Sequence, residues 1–432
     1  NAMHGNDSTA TTGTGRNTGI GSSVLYAITT GQQNVAIGGS AGSTLTTTSH
    51  TVLIGHNAGL AINSADADGT IAIGMEAGKA ITSGQESVLI GRQAGLTLTT
   101  GDANTAVGTY ALYHNATGNY NTAIGRGAGA RFLNDDSTAL GYYAGHYASG
   151  SDNTFVGSEA GKGGTTSAPY SSGQNNVAVG YQALTGFTTG YWNVAIGSGA
   201  GDSITSAIGT VNIGYLAGAS QTSGYGNILI GEQAGPAHDD SSYNVVIGYR
   251  ASANGTSGAG DNNVIVGAQA GGQQATMTGG NNVILGMSAM QYATSTSGNI
   301  AVGWDAGGDL STGDYNVFMG YSAGGTTTDV DYSVIIGFQA GISNMTSDAD
   351  GTIAIGHHAA RYLTTGQYNV AIGQYALDSA TELDKNTAVG YGTLSSMSGS
   401  AGTGLNTAVG YIAGTAVTTG THNTILGANS GN

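Results

Sequence analysis

Residues 193–197 read Asn-Val-Ala-Ile-Gly, and residues 34–38 and 369–373 have the same sequence. The unit recurs 24 times as Asn, Ser or Thr, then Val, Thr or Ile, a variable residue, an aliphatic residue or Met, and a closing glycine. Fifteen of the 23 spacings between closing glycines are 17 residues, and the others are 16, 19, 20 or 23. This repeat is too short for helical hairpins or propeller blades. It predicts an all-β solenoid of about 24 coils, on the order of 110 Å long.

Side chains two residues apart point to the same face of a strand. We therefore assign the second and fourth positions of the unit to the inside of the coil, and the third position to the outside. The third position is nevertheless apolar, up to Phe155 and Phe318, with Gly19 and Asn212 as exceptions. An outward apolar row needs a cover, and identical chains around an axis are the simplest one. The sequence thus predicts a homo-oligomer.

The rest of each coil has its own pattern. Alanine stands three residues after the closing glycine in 21 of 24 repeats, and a larger apolar residue such as Leu45 or Phe187 often follows four residues later. This pattern predicts a tight bend into a second strand. A Thr-Thr-Gly or Thr-Ser-Gly turn then closes many coils, and we expect its glycine to supply a positive φ.

Asparagine occupies the first position of 17 repeats. In stacked coils these side chains lie above one another, so their amides can hydrogen bond in a ladder. A row of asparagine ligands is the alternative.

Composition excludes several classes of protein. The 432 residues include 25 acidic and 9 basic residues, a net charge of −16, and no cysteine. Nucleic-acid binding needs clustered cations, and disulfides or thiolate metal sites need cysteine. The sequence contains no run of 18 apolar residues, so it predicts no membrane insertion. We expect a lead-in over residues 1–16, of which residues 1–3 resemble a vector-derived start, and a single solenoid domain over residues 17–432.

Residues 87–95, Ser-Val-Leu-Ile-Gly-Arg-Gln-Ala-Gly, resemble the head repeats of trimeric autotransporter adhesins. With their Thr-Thr-Gly spacers, the repeats also resemble the shafts of phage tail fibres. The resemblance covers roughly residues 17–431 and implies a left-handed parallel β-roll assembled as a homotrimer. It also implies an extracellular place, on a cell surface or a virion. The longer period of this chain implies a longer turn than in adhesin heads.

The function that we expect is attachment of a trimeric, non-enzymatic fibre to a cell or another surface, with a glycan as a candidate receptor. The alternative is a purely structural spacer of a longer fibre. An ice-binding solenoid is less well supported, because it needs a flat array of threonines and the threonines here stand in turns.

One irregular coil is the candidate binding site. The longest spacing between closing glycines contains Lys162 and Tyr170, and Tyr191 and Trp192 follow in a turn soon after. Exposed aromatic rings and a cation suit a glycan or an acidic sugar. The alternative is an insertion that the solenoid merely tolerates.

Two further patterns suggest chemistry. Asp66 and Asp68, and likewise Asp348 and Asp350, alternate just before a glycine, as carboxylates that hold a structural Ca²⁺ can do; an Asx turn is the alternative. No other cofactor is expected. His357-His358 is the one histidine pair, and adjacent residues on a strand would point to opposite faces.

Residues 38–42 and 320–324 match the Gly-x-Ser-x-Gly pattern of a nucleophile elbow, yet both lie in register with the repeat. We therefore expect no catalytic residue and an inert Ser322. Tyrosines follow the closing glycine or precede the strand in many coils, and these turn positions predict surface exposure.

Overall fold

The computed structural model describes residues 15–235, 239–253, 260–273, 277–399 and 404–432. Most of the predicted lead-in, residues 1–14, lies outside this part of the chain. Each of the 24 sequence units forms one short strand. The strands are β1 (Thr18–Ile20), β2 (Val35–Ile37), β3 (Val52–Ile54), β4 (Ile71–Ile73), β5 (Val88–Ile90), β6 (Thr105–Val107), β7 (Thr122–Ile124), β8 (Thr138–Leu140), β9 (Thr154–Val156), β10 (Val177–Val179), β11 (Val194–Ile196), β12 (Val211–Ile213), β13 (Ile228–Ile230), β14 (Val245–Ile247), β15 (Val264–Val266), β16 (Val283–Leu285), β17 (Ile300–Val302), β18 (Val317–Met319), β19 (Val334–Ile336), β20 (Ile353–Ile355), β21 (Val370–Ile372), β22 (Thr387–Val389), β23 (Thr407–Val409) and β24 (Thr424–Leu426). Within these ranges the helical segments are two short 3₁₀ turns, Ala65–Ala67 and Ser347–Ala349.

The chain divides into two compact units, residues 1–212 and 213–432. In the first unit each strand from β1 to β11 pairs in parallel with the next, and in the second the strands from β13 to β24 do the same. Pairing joins equivalent residues of successive coils, such as Val35 with Val52 and Val317 with Val334. The all-β parallel solenoid of about 24 coils with a period near 17 is therefore confirmed.

The described part of each coil holds one strand and not two. After the strand the backbone runs through turns until the next unit begins. The expected bend is present, because Ala41 and its equivalents are fully buried, and so are most of the apolar residues four positions later, such as Leu45. The predicted second strand was wrong, since a chain that bends continuously around so narrow a core does not extend.

The assignment of inside and outside was also wrong. Third-position side chains are buried completely in every strand but the last, as Leu53, Phe155 and Phe318 show with 0% exposure, and Ile425 in β24 is partly buried. Second- and fourth-position side chains lie on the outer face, where Met319 is 40% exposed. A Cβ added to Gly307 would stand 3.0 Å from the ring of Phe318, so the third position fills the space inside the coil. The apolar outward row therefore exists, but other residues form it.

Buried asparagines connect the coils, as predicted. The backbone N–H of Asn193 donates to Oδ1 of Asn176 at 3.0 Å, and Nδ2 of Asn193 donates to the same oxygen at 3.1 Å. Nδ2 also donates to the carbonyl of Ala207 in the following coil at 2.8 Å. Similar bonds join Asn282, Asn299 and Asn316. These amides bind the solenoid itself, which favours the ladder over a row of ligands.

The closing glycines lie in direct contact along the stack. A Cβ on Gly38 would stand 2.7 Å from the carbonyl carbon and oxygen of Gly55, and one on Gly91 would stand 2.5 Å from the carbonyl oxygen of Gly108. The φ of Gly38 is 123°, a conformation that L-residues avoid. Glycine is thus required here both by backbone conformation and by space.

The turn glycines have a different role from the one we expected. Gly84, Gly101 and Gly190 are not among the residues with positive φ. A Cβ on Gly84 would stand 2.5 Å from the carbonyl oxygen of Gly101, and one on Gly190 would stand 2.6 Å from that of Ala207. The backbone N–H groups of Thr188, Thr189 and Gly190 also all donate to one carbonyl of the next coil, that of Thr205. Close approach of the next coil therefore explains the glycine in the Thr-Thr-Gly turn.

The adjacent residues Gly38 and Gly39 allow this contact to be tested. Gly38→Ala should destabilise the protein by about 2 to 4 kcal/mol, because the new methyl group meets the backbone of Gly55 at a strained φ. Gly39→Ala should change stability by less than about 0.5 kcal/mol, because its Cβ would meet only the His56 side chain at 3.4 Å. Chemical unfolding monitored by circular dichroism measures both. Equal effects of the two substitutions would refute the stacking argument.

Candidate functional site

The second- and fourth-position side chains of the strands form an apolar surface that we call the outer strand face. In the sequence these positions hold only Val, Ile, Leu, Met and Thr. Many of the side chains are substantially exposed, including Leu140 at 44%, Ile300 at 40% and Met319 at 40%. A sheet face that met water permanently would carry polar residues. Each unit therefore presents an uncovered apolar strip.

Two rows of aromatic residues flank the outer strand face. One row follows the closing glycines and the other precedes the first position of the repeat. Both are exposed, as predicted for the tyrosines. The first row contains Tyr142, Tyr181, Tyr215, Tyr249, Trp304, Tyr321, Phe338, Tyr391 and Tyr411, and the second contains Tyr120, Trp192, Tyr243, Tyr315, Tyr332 and Tyr368.

In the second unit, first-row rings stack from Trp304 to Phe338, and Tyr391 stacks on Tyr411. The ring centroids of Trp304 and Tyr321 are 4.6 Å apart with an interplanar angle of 20°, and those of Tyr321 and Phe338 are 5.1 Å apart at 13°. The stack continues from Phe338 to His357 at 5.3 Å. Each ring thus covers the face of its neighbour and turns its edge outward. Such a row offers little open ring face to a sugar.

Tyr191 and Trp192 are arranged differently. Their ring centroids are 4.9 Å apart and the rings meet edge to face at 78°, so this contact covers at most one ring face. Both line an open pocket of about 410 Å³ together with Ser172, Gly173, Gln174, Asn175 and Thr189. Trp192 is 61% exposed. The pocket therefore combines aromatic surface with uncharged hydroxyl and amide groups.

The other two residues of the predicted binding patch lie in different surroundings. Tyr170 stacks with Tyr147 at 6.4 Å and lies under the guanidinium of Arg131, whose central carbon is 4.9 Å from the ring centroid. Nζ of Lys162 is 3.3 Å from Oε1 of Glu159. Neither Tyr170 nor Lys162 lines the pocket of Tyr191 and Trp192. Arg131 was missed from the sequence, because it stands far from Tyr170 in the chain and reaches it only through stacking of the coils.

Asp68 and Asp350, two of the four predicted calcium ligands, belong to a ladder of turn hydrogen bonds. Oδ1 of Asp68 accepts a bond of 2.6 Å from the N–H of Ser49, and Oδ1 of Asp350 accepts one of 2.8 Å from Asp331. In another coil, Oδ1 of Asn119 accepts the equivalent bond from the N–H of Asp102 at 2.8 Å. Because a neutral amide can take this place, the position needs an acceptor oxygen and not a charge. These bonds run to the preceding coil, so they differ from an Asx turn, in which the side chain accepts from its own turn.

Asp66 and Asp348, the other two, lie in the 3₁₀ turns. Oδ2 of Asp66 accepts a bond of 3.0 Å from the hydroxyl of Ser64, and Asp348 stands in the turn Ser347–Ala349. The described residues contain no group of three or more His, Asp or Glu side chains placed to hold a metal ion.

The two remaining motifs follow the repeat. The hydroxyl of Ser322 donates to Oδ2 of Asp305, which occupies the same place one coil earlier, at 3.2 Å. His357 and His358 stand in a turn and not on a strand, so the expectation of opposite faces was wrong: their ring centroids are 4.0 Å apart. Nε2 of His358 is 2.9 Å from Oε1 of Gln339.

The turn threonines join coils to one another. The hydroxyl of Thr99 donates to the carbonyl of Ala116 at 2.8 Å, and that of Thr188 donates to the carbonyl of Thr205 at 2.9 Å. An ice-binding surface would need these donors for water.

Comparison with protein-family models found none that matches the chain. Comparison with curated proteins likewise found no match. Within the described residues, no helix is long and apolar enough to cross a membrane.

The carboxyl of Asp350 provides a test of the turn ladder. Burial raises its pKa, and the nearby charges of Asp329, Asp331 and Asp348 act in the same direction. The folded state therefore favours the protonated form of the Asp350 carboxyl. The stability that this form contributes is present below the ordinary pKa of about 4, and it is lost as the pH rises through the raised pKa of the folded state. At pH 7 the charge of Asp350 opposes folding.

Asp350→Asn should consequently raise the urea midpoint at pH 7, because the amide oxygen keeps the bond to Asp331. The gain should stay below about 1 kcal/mol, since water screens this partly exposed group, and it should vanish near pH 3. Asp102→Asn, at the same place in another coil, is the control for exchanging a carboxylate for an amide at this turn position. A gain for Asp350→Asn that is equal at pH 7 and pH 3 would contradict the electrostatic explanation.

Proposed function

We propose that this protein is a non-enzymatic fibre that attaches to a cell or another surface by binding a glycan, and that it acts as a homotrimer outside the cell, on a cell surface or a virion. The observation that carries the attachment function is the pocket of Tyr191 and Trp192. Its aromatic surface is open, and its other lining groups are uncharged hydrogen-bonding groups.

A sugar suits this pocket for a physical reason. Pyranose rings present apolar C–H faces that pack on aromatic rings, while their hydroxyls need donors and acceptors at the rim. Ser172, Gln174 and Thr189 supply such groups beside Trp192. The pocket is open and not enclosed, which suits the end or side of a surface-bound oligosaccharide better than a small free metabolite.

The absence of catalysis is part of the proposal. Ser322 is only 4% exposed and gives its hydrogen bond to a carboxylate that takes the same place in the repeat. The pattern Gly-x-Ser-x-Gly thus follows from the coil, since glycine is fixed by stacking at the first position and by a positive φ at Gly324.

The outer strand face supports the homotrimer. The first unit has eleven strands, β1 to β11, and the second has twelve, β13 to β24. At about 4.8 Å between strands, each unit has an apolar strip on the order of 500 Å², before the flanking aromatics are added. An identical chain carries the same coil spacing, so its strip matches this one along the whole length of a unit. No charged side chain stands at these positions. The resemblance to trimeric adhesin heads sets the number of chains at three.

The two tryptophans of the chain offer a matched test of glycan attachment. Trp192→Ala should weaken binding to the oligosaccharides that the wild type recognises on a glycan array by at least ~10-fold, because it removes the open ring. Trp304→Ala should leave binding unchanged, because Tyr321 already stacks on that ring at 4.6 Å. A wild type that binds no glycan would favour the structural spacer, and equal loss in both variants would refute the pocket.

The trimer is tested by substitutions on and off the outer strand face. Ile124→Asp should raise the dissociation constant of the trimer at least ~10-fold in sedimentation experiments, because it places a charge in an apolar interface. Leu133→Asp should leave the mass unchanged, since Leu133 is similarly exposed, 41% against 38% for Ile124, but stands in the turn between β7 and β8. A monomeric wild type in dilute buffer would overturn the proposed trimer.

A further inference from the structure

The coils that carry the long insertion hold a second cluster of aromatic and basic side chains. The closing glycines at 157 and 180 are 23 residues apart, so this coil has a longer excursion than its neighbours. Tyr170 in the excursion contacts both Tyr147 and Arg131, each from an earlier coil. We call Arg131, Tyr147 and Tyr170 the insertion cluster.

The backbone holds Tyr170 in place. Ser171, the next residue, forms a parallel bridge with Ala148. Its N–H donates to the carbonyl of Tyr147 at 3.1 Å, and its carbonyl accepts from the N–H of Ser149 at 2.7 Å. The hydroxyls of Thr165 and Ser171 are 3.1 Å apart and close the excursion. The insertion cluster is therefore built into the solenoid, and a ligand would pay little entropy to order it.

Arg131 has unused hydrogen-bonding capacity. Within the described residues its side chain forms no ion pair, and its buried Nε has no hydrogen-bond partner. The guanidinium of Arg131 stacks on Tyr170 through its face. Stacking leaves the donors in the plane of the guanidinium free.

A second cation lies close by. Burial lowers the pKa of His146, and the positive charges of Arg131 and Lys162 lower it further. The neutral form of His146 is therefore favoured. The N–H of Tyr147 donates to the carbonyl of Lys162 at 2.7 Å, which places Lys162 beside the insertion cluster. Lys162 forms a partly exposed ion pair with Glu159 at 3.3 Å, and such a pair is weak. The insertion cluster thus combines two stacked tyrosines with local positive charge.

We propose that the insertion cluster binds an acidic sugar, with Arg131 holding its carboxylate and the edges of Tyr147 and Tyr170 in contact with its ring. The planar guanidinium matches the two oxygens of a carboxylate, and the tyrosines provide apolar surface beside it. This site rests on residues that do not line the pocket of Trp192, and it deepens the proposed attachment function by adding an anion-recognising subsite.

The test uses the full chain with glucuronate, its neutral counterpart glucose, and glucose sulfate as probes, followed by saturation-transfer NMR. Arg131→Gln should weaken glucuronate binding at least ~10-fold, and Arg131→Lys should restore only part of it, because lysine lacks the planar fork. Wild-type binding should fall when NaCl is raised from about 0.05 to 0.5 M.

Arg92→Gln is the matched control, because Arg92 also stacks on a tyrosine, Tyr110 at 5.6 Å, in another coil. It should bind glucuronate like the wild type, with all variants melting at similar temperatures. Trp192→Ala should also retain glucuronate binding, which separates this site from the proposed glycan pocket. The inference is overturned if the wild type does not bind glucuronate, if Arg131→Gln binds it equally well, or if only the sulfate ester binds.

Discussion

Contact between successive closing glycines is the constraint on which the rest of the structure depends. The backbone of Gly55 occupies the place where a Cβ on Gly38 would stand. This approach lets the short strands pair in exact repeat register, as between Val35 and Val52. Once the strands are in register, the asparagine amides lie above one another and the turn N–H groups reach the next carbonyl. The interior is then so narrow that alanine stands three residues after the closing glycine in 21 of 24 coils. The larger third-position residues fill the remaining space.

The sequence predicted the strands well and their orientation badly. All 24 units form strands because the spacing of the closing glycines is a strong signal that needs no tertiary information. The faces were inverted because both are apolar, so the usual contrast between core and solvent is missing. One signal could have decided the matter: the first and third positions share a face. A buried ladder through Asn176 and Asn193 therefore requires Ala178 and Ala195 to be buried as well.

The candidate site was predictable only in part. Tyr191 and Trp192 are adjacent in sequence and precede a strand, so their exposure follows from the repeat. The insertion cluster depends on where an irregular excursion returns to the stack, which the bridge between Ala148 and Ser171 decides. A repeat pattern does not contain that information. The hydrogen-bond ladder of Asp68 and Asp350 was not predicted for a related reason, since only the stacking of the coils reveals it.

The direction of the hydrogen bonds has a mechanical consequence. The bonds from Gly38 to Ile20 and from Gly55 to Ile37 join one coil to the next, so a pull along the stacking direction of a unit loads the coils in series. The weakest coil yields first and releases its 17 residues, about 60 Å of extended chain, while its neighbours stay closed. A solenoid unit would therefore lengthen in discrete steps under tension and dissipate mechanical work at each step.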